Sequence, residues 1–403
     1  MSESTKPAVG PPLAPAAEDQ GDAVAAFARA FARWAGAGHA FAFWKGRVAL
    51  YAILRAMGVG QGDQVILPGY TCVMNVNPVK YLGAEALYAD IDPVTFNVRP
   101  ELIERKITPR TKAVIAQHTY GYPCEMDAIS DLTGRHGIPV IEDCCLAPGS
   151  RYKGRLCGSF GLAAYWSFQW NKTFTTGIGG MATTRDASLA WRIEELTRRH
   201  LGRPGAWAQG MLALQRLIHG LVVYPATAGT FTALFRWLTK RGLVVGSSSA
   251  GEFTPAMAAD FFTGMGAAQA RAGLEQTARI EQNLAHRRRL AQAYDELLAE
   301  AGWQVHPLPA YMDPVLVRYP LRVADKKQAL AGAAQKGLEL GSWFECPLHP
   351  AGTPMHLYAY QDGCCPVAEK ACRETVNLPT HLRTTPATAR RTVDFIRRIG
   401  PPA

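Results

Sequence analysis

Between Gly46 and Asp186, short apolar runs alternate with amphipathic stretches, and no other feature of the sequence narrows its possible folds as far. The runs Gln64–Pro68, Ala84–Tyr88, Lys112–Gln117, Ile138–Asp143 and Leu162–Phe168 have strand length and carry β-branched or aromatic residues. Helix-length segments near 46–58, 71–82, 98–106 and 125–136 separate them. Strands buried on both faces read as continuous apolar runs, so this α/β pattern predicts a mostly parallel sheet sandwiched by helices. Ligands of such sheets bind outside the carboxyl ends of the strands.

The chain has 403 residues, two to three times an ordinary single-domain length, which leaves room for a second lobe. Ala267–Glu300 contains no proline and is rich in Ala, Leu, Gln, Glu and Arg, so it reads as one long helix joining two lobes. Beyond it, a strand-like run at Pro314–Tyr319 and helical stretches at Lys326–Lys336 and Pro386–Ile399 predict a smaller α+β domain. The expected division is a tail over 1–22, a large domain over 23–265 and a linking helix with small domain over 266–403. Residues 1–22 are rich in Pro and Ala, carry acids and lack an apolar core, so they read as a mobile tail rather than a targeting segment.

Composition removes several alternatives. With 48% hydrophobic and 19% charged residues, the chain is neither disordered nor a polytopic membrane protein. Its net charge of +10 is concentrated: Arg198, Arg199, Arg203, Arg216, Arg236, Lys240 and Arg241 lie between Thr197 and Gly251, where there is no acid at all. With no zinc-finger spacing, RNP-like motif or basic heptad helix, no nucleic acid partner is expected. Nine cysteines, an odd number without C-x-x-C, argue against a disulfide framework or a thiolate zinc site and for a reducing cytoplasm.

Candidate chemistry gathers where the strands end. Asp143 closes an apolar run, which puts a carboxylate at a strand's carboxyl end, although a capping role fits the same placement. Lys172 follows Tyr165–Trp170 and has Thr and Gly rather than charges beyond it. Apolar surroundings favour the free amine, a nucleophile; a snorkelling surface lysine is the plainer alternative. Gly46 opens a helix and would offer N–H groups to an anion, and Thr176–Met181 is glycine-rich enough for a ligand to approach the backbone. His118 ends another apolar run and reads as a satisfied polar group on this face rather than a metal ligand. Cys144 and Cys145 read as small buried hydrophobes, and His349 and His381 as candidates to line a cleft.

In their joint order these residues resemble the DegT/DnrJ/EryC1/StrS family of pyridoxal phosphate (PLP) dependent sugar aminotransferases, of fold type I. The resemblance rests on the blocks 58–68, Asp90–Asn97, His118–Gly121, Pro139–Asp143, Ser167-Phe-x-x-x-Lys172, Gly179–Met181, Arg287–Leu298 and Pro347–His349. It covers roughly 30–196 and 253–400. It implies a seven-stranded-type sheet, a homodimer, and PLP bound covalently by Lys172, which then moves the proton between substrate and cofactor. Asp143 is implied to keep the pyridine nitrogen protonated, and Ser167 with the N–H groups of Gly46 and Arg47 to hold the phosphate. Asn171 and His118 belong to the same cofactor neighbourhood. Four departures stand out. Cys72 replaces the aromatic that stacks on the ring, with Tyr70 as a nearby substitute; Leu146 replaces a polar residue near the ring's 3-oxygen; Arg47 replaces a small hydroxyl residue; and Thr254–Met257 lacks the Asn and Arg that reach the neighbouring subunit.

The implied reaction moves an amino group from an amino acid, Glu or Gln, to a keto group of a sugar, nucleotide-linked or lipid-linked, or of a related small acceptor. Other PLP chemistry such as dehydration, or a catalytically retired membrane-associated relative, are the alternatives. The insert over about 197–250 has no counterpart in these blocks. Leu217–Phe235 is uncharged, but His219, Pro225 and Gly229 make a span improbable. A pair of amphipathic helices broken at Pro225 is expected instead, its apolar side facing the partner subunit or, through residues 203–245, the inner membrane surface.

Overall fold

The computed structural model describes residues 22–222, 238, 244–246, 250–305 and 307–401. Seven strands build the central sheet: β1 (His39–Phe43), β2 (Gln64–Pro68), β3 (Glu85–Ala89), β4 (Thr111–Gln117), β5 (Val140–Asp143), β6 (Ala163–Ser167) and β7 (Gly180–Thr184). Their order is β1-β7-β6-β5-β4-β2-β3. All run parallel except β7, which is antiparallel to both β1 and β6. The five predicted strands are the parallel interior and its far edge. β1 and β7 are additions: His-Ala-Phe-Ala-Phe buries only its last residue and Gly-Met-Ala-Thr-Thr has little apolar surface, so neither reads as a run.

Helices α1 (Ala23–Ala35), α2 (Gly46–Ala56), α3 (Val73–Tyr81), α4 (Met126–Arg135), α5 (Ala187–His200), α6 (Ala206–Val222) and α7 (Ala267–Glu300) follow in chain order. Of the expected tail, only Asp22 is described, and it caps α1 by accepting bonds from the N–H groups of Val24 and Ala25 at 2.9 and 3.3 Å. Phe27 of α1 packs over Gly273 of α7 so closely that any Cβ there would sit 2.5 Å from the ring. The expected break at Pro225 lies outside the described residues.

The small lobe pairs β8 (Arg318–Arg322) with β9 (Thr375–Pro379) and covers them with α8 (Lys326–Gln335) and α9 (Pro386–Ile396). Strand β8 begins four residues later than expected. Residues 314–317 tie the lobes together instead: Val315 N–H donates to Ser150 Oγ at 2.9 Å and Val317 N–H to the Tyr120 carbonyl at 2.9 Å. At this join Gly121 has φ +110°, and a Cβ would lie 2.1 Å from the Val315 carbonyl oxygen. The lobes do not divide cleanly in sequence. Phe344, Leu348, Tyr358, Cys365 and Cys372 belong to the core of the large domain, whereas Leu290, Leu321, Val376 and Ile396 form the separate small core.

Candidate active site

The site lies at the carboxyl ends of β4, β5 and β6. Asp143, the last residue of β5, is 2% exposed. Its Oδ2 accepts from Asn75 Nδ2 at 2.7 Å and its Oδ1 from the Cys145 N–H at 2.9 Å. Asn75, on the first turn of α3, also donates to Thr71 Oγ1 at 3.0 Å, and Thr71 Oγ1 donates to Gln117 Oε1 at 2.5 Å. The carboxylate is therefore fixed by a buried polar chain spanning two strand ends and a helix start. Asn75, Thr71 and Gln117 escaped the sequence reading because they lie 4 to 46 residues apart along the chain and only the fold brings them together.

Lys172 sits in the turn after β6. Its loop is clamped from α7: Asn283 Nδ2 donates to the Thr173 carbonyl at 2.7 Å, Gln269 donates to the Ile178 carbonyl, and Arg287 Nε braces Asn283 Oδ1 at 3.0 Å. Lys172 Nζ lies 5.1 Å from the centre of the Trp343 ring, and Arg318 Cζ lies 4.9 Å from the same ring. Trp343 is held by its backbone, donating N–H to Asn377 Oδ1 at 2.8 Å and accepting from Asn377 Nδ2 at 3.0 Å and from the Tyr120 hydroxyl. Cys72 stands between the parts. Burial pushes its thiol up, and the charges of Arg47, Lys172 and Asp143 all act on it. Leu348–His349 pairs in parallel with Thr71–Cys72, which brings His349 opposite Cys72. Burial lowers the His349 imidazole to about 4, with Glu345 opposing and Lys326 and Lys172 reinforcing the shift.

A backbone cradle lies beside this pocket. Gly46, at the start of α2, approaches Ser167 so closely that a Cβ would sit 2.9 Å from the Ser167 Cβ, and a Cβ on Gly180 would lie 2.4 Å from the Gly46 nitrogen. A helix start presents N–H groups and the positive end of its dipole, an arrangement suited to an anion. The Ser167 hydroxyl makes no hydrogen bond among the described residues. Next to the cradle, Glu252 pairs with Lys45 at 3.0 Å and with Arg47 at 2.8 Å, and its carbonyl accepts from Asn77 Nδ2 at 2.6 Å. Burial and Arg47 together lower the Lys45 ammonium to about 8 despite Glu252. Glu252 is the first acid after the acid-free stretch, a signal that sequence reasoning passed over.

The other expected cofactor neighbours have these surroundings. Tyr70 is fully buried, its hydroxyl 2.8 Å from that of Tyr120 and its ring packed on Phe96 and Phe344, so it cannot swing out to replace an aromatic at Cys72. His118 has both ring nitrogens occupied: Nδ1 accepts from the Cys124 N–H and Nε2 bonds to Glu142 Oε2, each at 3.0 Å. Glu142 also accepts from the N–H groups of Gly158, Phe160 and Gly161, so it, His118 and nearby Cys144 form a satisfied structural cluster. Asn171 is exposed in the turn before Lys172 and makes no hydrogen bond among the described residues. Leu146 is buried in the cluster that includes Tyr70 and Phe344. His381 binds Glu339 at 2.8 Å in the small lobe.

The DegT/DnrJ/EryC1/StrS aminotransferase family model matches residues 14–212 and 236–397. A GDP-perosamine synthase of Caulobacter vibrioides is 34% identical over 380 residues, 93% of this chain and 89% of the relative. An L-glutamine:2-deoxy-scyllo-inosose aminotransferase of Micromonospora echinospora is 42% identical over 170 residues, 42% of this chain and 40% of the relative. Among solved structures, S. venezuelae DesV in complex with a ketimine intermediate gives a TM-score of 0.73 at 25% identity, covering 94% of this chain and 89% of that one. The aminotransferase TlmJ from Streptoalloteichus hindustanus gives 0.72 at 26% identity, with 94% and 90% covered. On a match that runs through both lobes and a relative aligned over nearly its whole length, this chain belongs to the DegT/DnrJ/EryC1/StrS aminotransferase family.

Proposed function

We propose that this aminotransferase moves an amino group from an amino acid, Glu or Gln, to a keto group of a sugar, with pyridoxal phosphate as cofactor. The observation that carries the reading is the buried Asp143 carboxylate at the end of β5, oriented by Asn75 and the Cys145 N–H, beside β6, whose following turn carries Lys172. The residues present suit the cofactor. Gly46, Ser167 and Gly180 pack too closely to admit a Cβ, and the helix start among them presents N–H groups suited to an anion. Asp143, oriented by Asn75 and the Cys145 N–H, would hold a proton on a ring nitrogen. When bound, the cofactor supplies an electron sink for the carbon that exchanges its proton.

Lys172 would bond to the cofactor and carry that proton at Nζ, guided by the α7 clamp on its loop. Trp343 would close the site from the small lobe and exclude water. His349, lowered to about 4, is neutral at pH 7 and adds no charge against Lys172. We extend the proposal to a homodimer, as the resemblance implies, and to a reducing cytoplasm, supported by nine free thiols. Among the described residues no helix is long and apolar enough to cross a membrane.

The test follows keto acid release from purified, cofactor-loaded enzyme offered a panel of amino acids. The expected result is stoichiometric 2-oxo acid from Glu or Gln, lost by at least 1000-fold in Lys172→Ala. Dehydration of a sugar without keto acid release would replace the transfer reading, and retained transfer in the variant would refute the role of Lys172.

A further inference from the structure

Helix α6 is apolar on two sides. Its inner side meets the protein: Leu212 and Arg216 lie against Gly177, the Arg216 guanidinium donates to the Ala268 carbonyl at 3.1 Å, and the His219 ring sits 5.0 Å from that of Trp170, two residues before Lys172. Its outer side carries Trp207, Leu214, Leu217 and Ile218, at helical spacings of seven, three and one, and all four are exposed, Trp207 and Leu217 by 60%. A helix face of this size left in water normally marks a docking surface. We infer that the outer face of α6 lies on an anionic lipid bilayer surface.

Charge selects that partner. The approach to α6 carries Arg198, Arg199, His200 and Arg203, all exposed, and no acid occurs between Thr197 and Gly251. Glu195 pairs with both Arg198 and Arg199 at 2.8 Å and Glu194 also acts on Arg198, which leaves Arg203, four residues before Trp207, as the charge in excess. A second copy would bring an equally basic approach to this face, with no acid between Thr197 and Gly251 to pair with it. Lipid phosphates supply the missing anions, and an apolar stripe that opens with Trp207, four residues after the exposed Arg203, suits the headgroup boundary. The surface stands independently of the proposed reaction, because its evidence is the helix and not the pocket.

The experiment is flotation of the full chain with vesicles of phosphatidylcholine alone and with 30% phosphatidylglycerol, at low and physiological salt. Flotation with the anionic vesicles, at least 10-fold weaker with the neutral ones, is expected. Trp207→Ser combined with Leu217→Glu should lower partitioning at least 10-fold, and Arg203→Gln about 5-fold. Unchanged keto acid release and circular dichroism in both variants would show that they fold. The inference is overturned by absence of flotation on anionic vesicles, or by flotation unchanged in the double variant. It is equally overturned if the double variant instead dissociates a dimer in light scattering, which would assign the face to a second copy.

Discussion

Trp343 decides what lies against Lys172. Its ring centre lies 5.1 Å from the Lys172 nitrogen and 4.9 Å from the Arg318 guanidinium carbon, and its backbone is bonded in both directions to Asn377. Cation–π contacts of this kind are worth about 0.5–2 kcal/mol, more as water is excluded. Trp343→Ala should therefore lower kcat/KM for the keto acceptor at least 10-fold, with Trp343→Phe recovering most of it; steady-state kinetics check this, and an unaltered kcat/KM would show that the ring does not meet substrate. The same residues show how far a sequence can be read at this scale. Asp143 was visible because it ends an apolar run, and Lys172 because uncharged residues follow it. Trp343 was invisible: it reaches the site from 171 residues downstream, through the lobe connection that only the fold supplies. His118 is a satisfied polar group, as its position suggested, but its bonds run to the neighbour of Asp143. Its partner Glu142 adjoins Asp143 on β5, and successive strand residues face opposite sides of a sheet.

At the scale of elements, the cradle joins β6, β7 and the start of α2. Glu252 returns from the insert to neutralise Lys45 and Arg47 beside it. Removing one partner of a buried ion cluster costs about 3–5 kcal/mol, so Glu252→Gln should unfold at lower denaturant in the absence of cofactor. Lys45 and Arg47, each having lost one carboxylate partner, would then gain more from an added anion. Phosphate or pyridoxal phosphate should accordingly raise the melting temperature more in the variant than in the parent, and an equal rise would place the cluster away from the cradle. Gly46→Ala should weaken cofactor affinity at least 10-fold, because its methyl group meets Ser167; equilibrium titration measures it. The parallel strands were legible from their apolar runs. The antiparallel β7 was not, since its glycine and threonines serve the close approach to α2 rather than a visible hydrophobic pattern.

For the molecule as a whole, the arrangement that matters is the return of 344–372 from the small lobe into the large core, which sets His349 against Cys72. Burial holds the His349 imidazole near 4, below its ordinary value in an unfolded chain. Protons then bind the unfolded state more readily between about pH 6.5 and 4. Stability conferred by the neutral ring is complete above that window and is lost as pH falls through it, by about 1–3 kcal/mol. Thermal melts of the parent and His349→Asn across pH 7 to 4 should converge at the acid end, and parallel curves would dissociate His349 from the acid sensitivity. The two-lobe plan and the long α7 could be read from composition and the missing proline, but the crossing of lobes could not, because it depends on contacts between residues far apart in sequence. The central claim is that Lys172 bears the cofactor opposite Asp143. Borohydride reduction of the loaded enzyme followed by peptide mass spectrometry tests it most directly. A pyridoxyl adduct on Lys172 is predicted; an adduct on Lys45 instead, or an unmodified Lys172 in an enzyme that retains cofactor, would contradict the assignment.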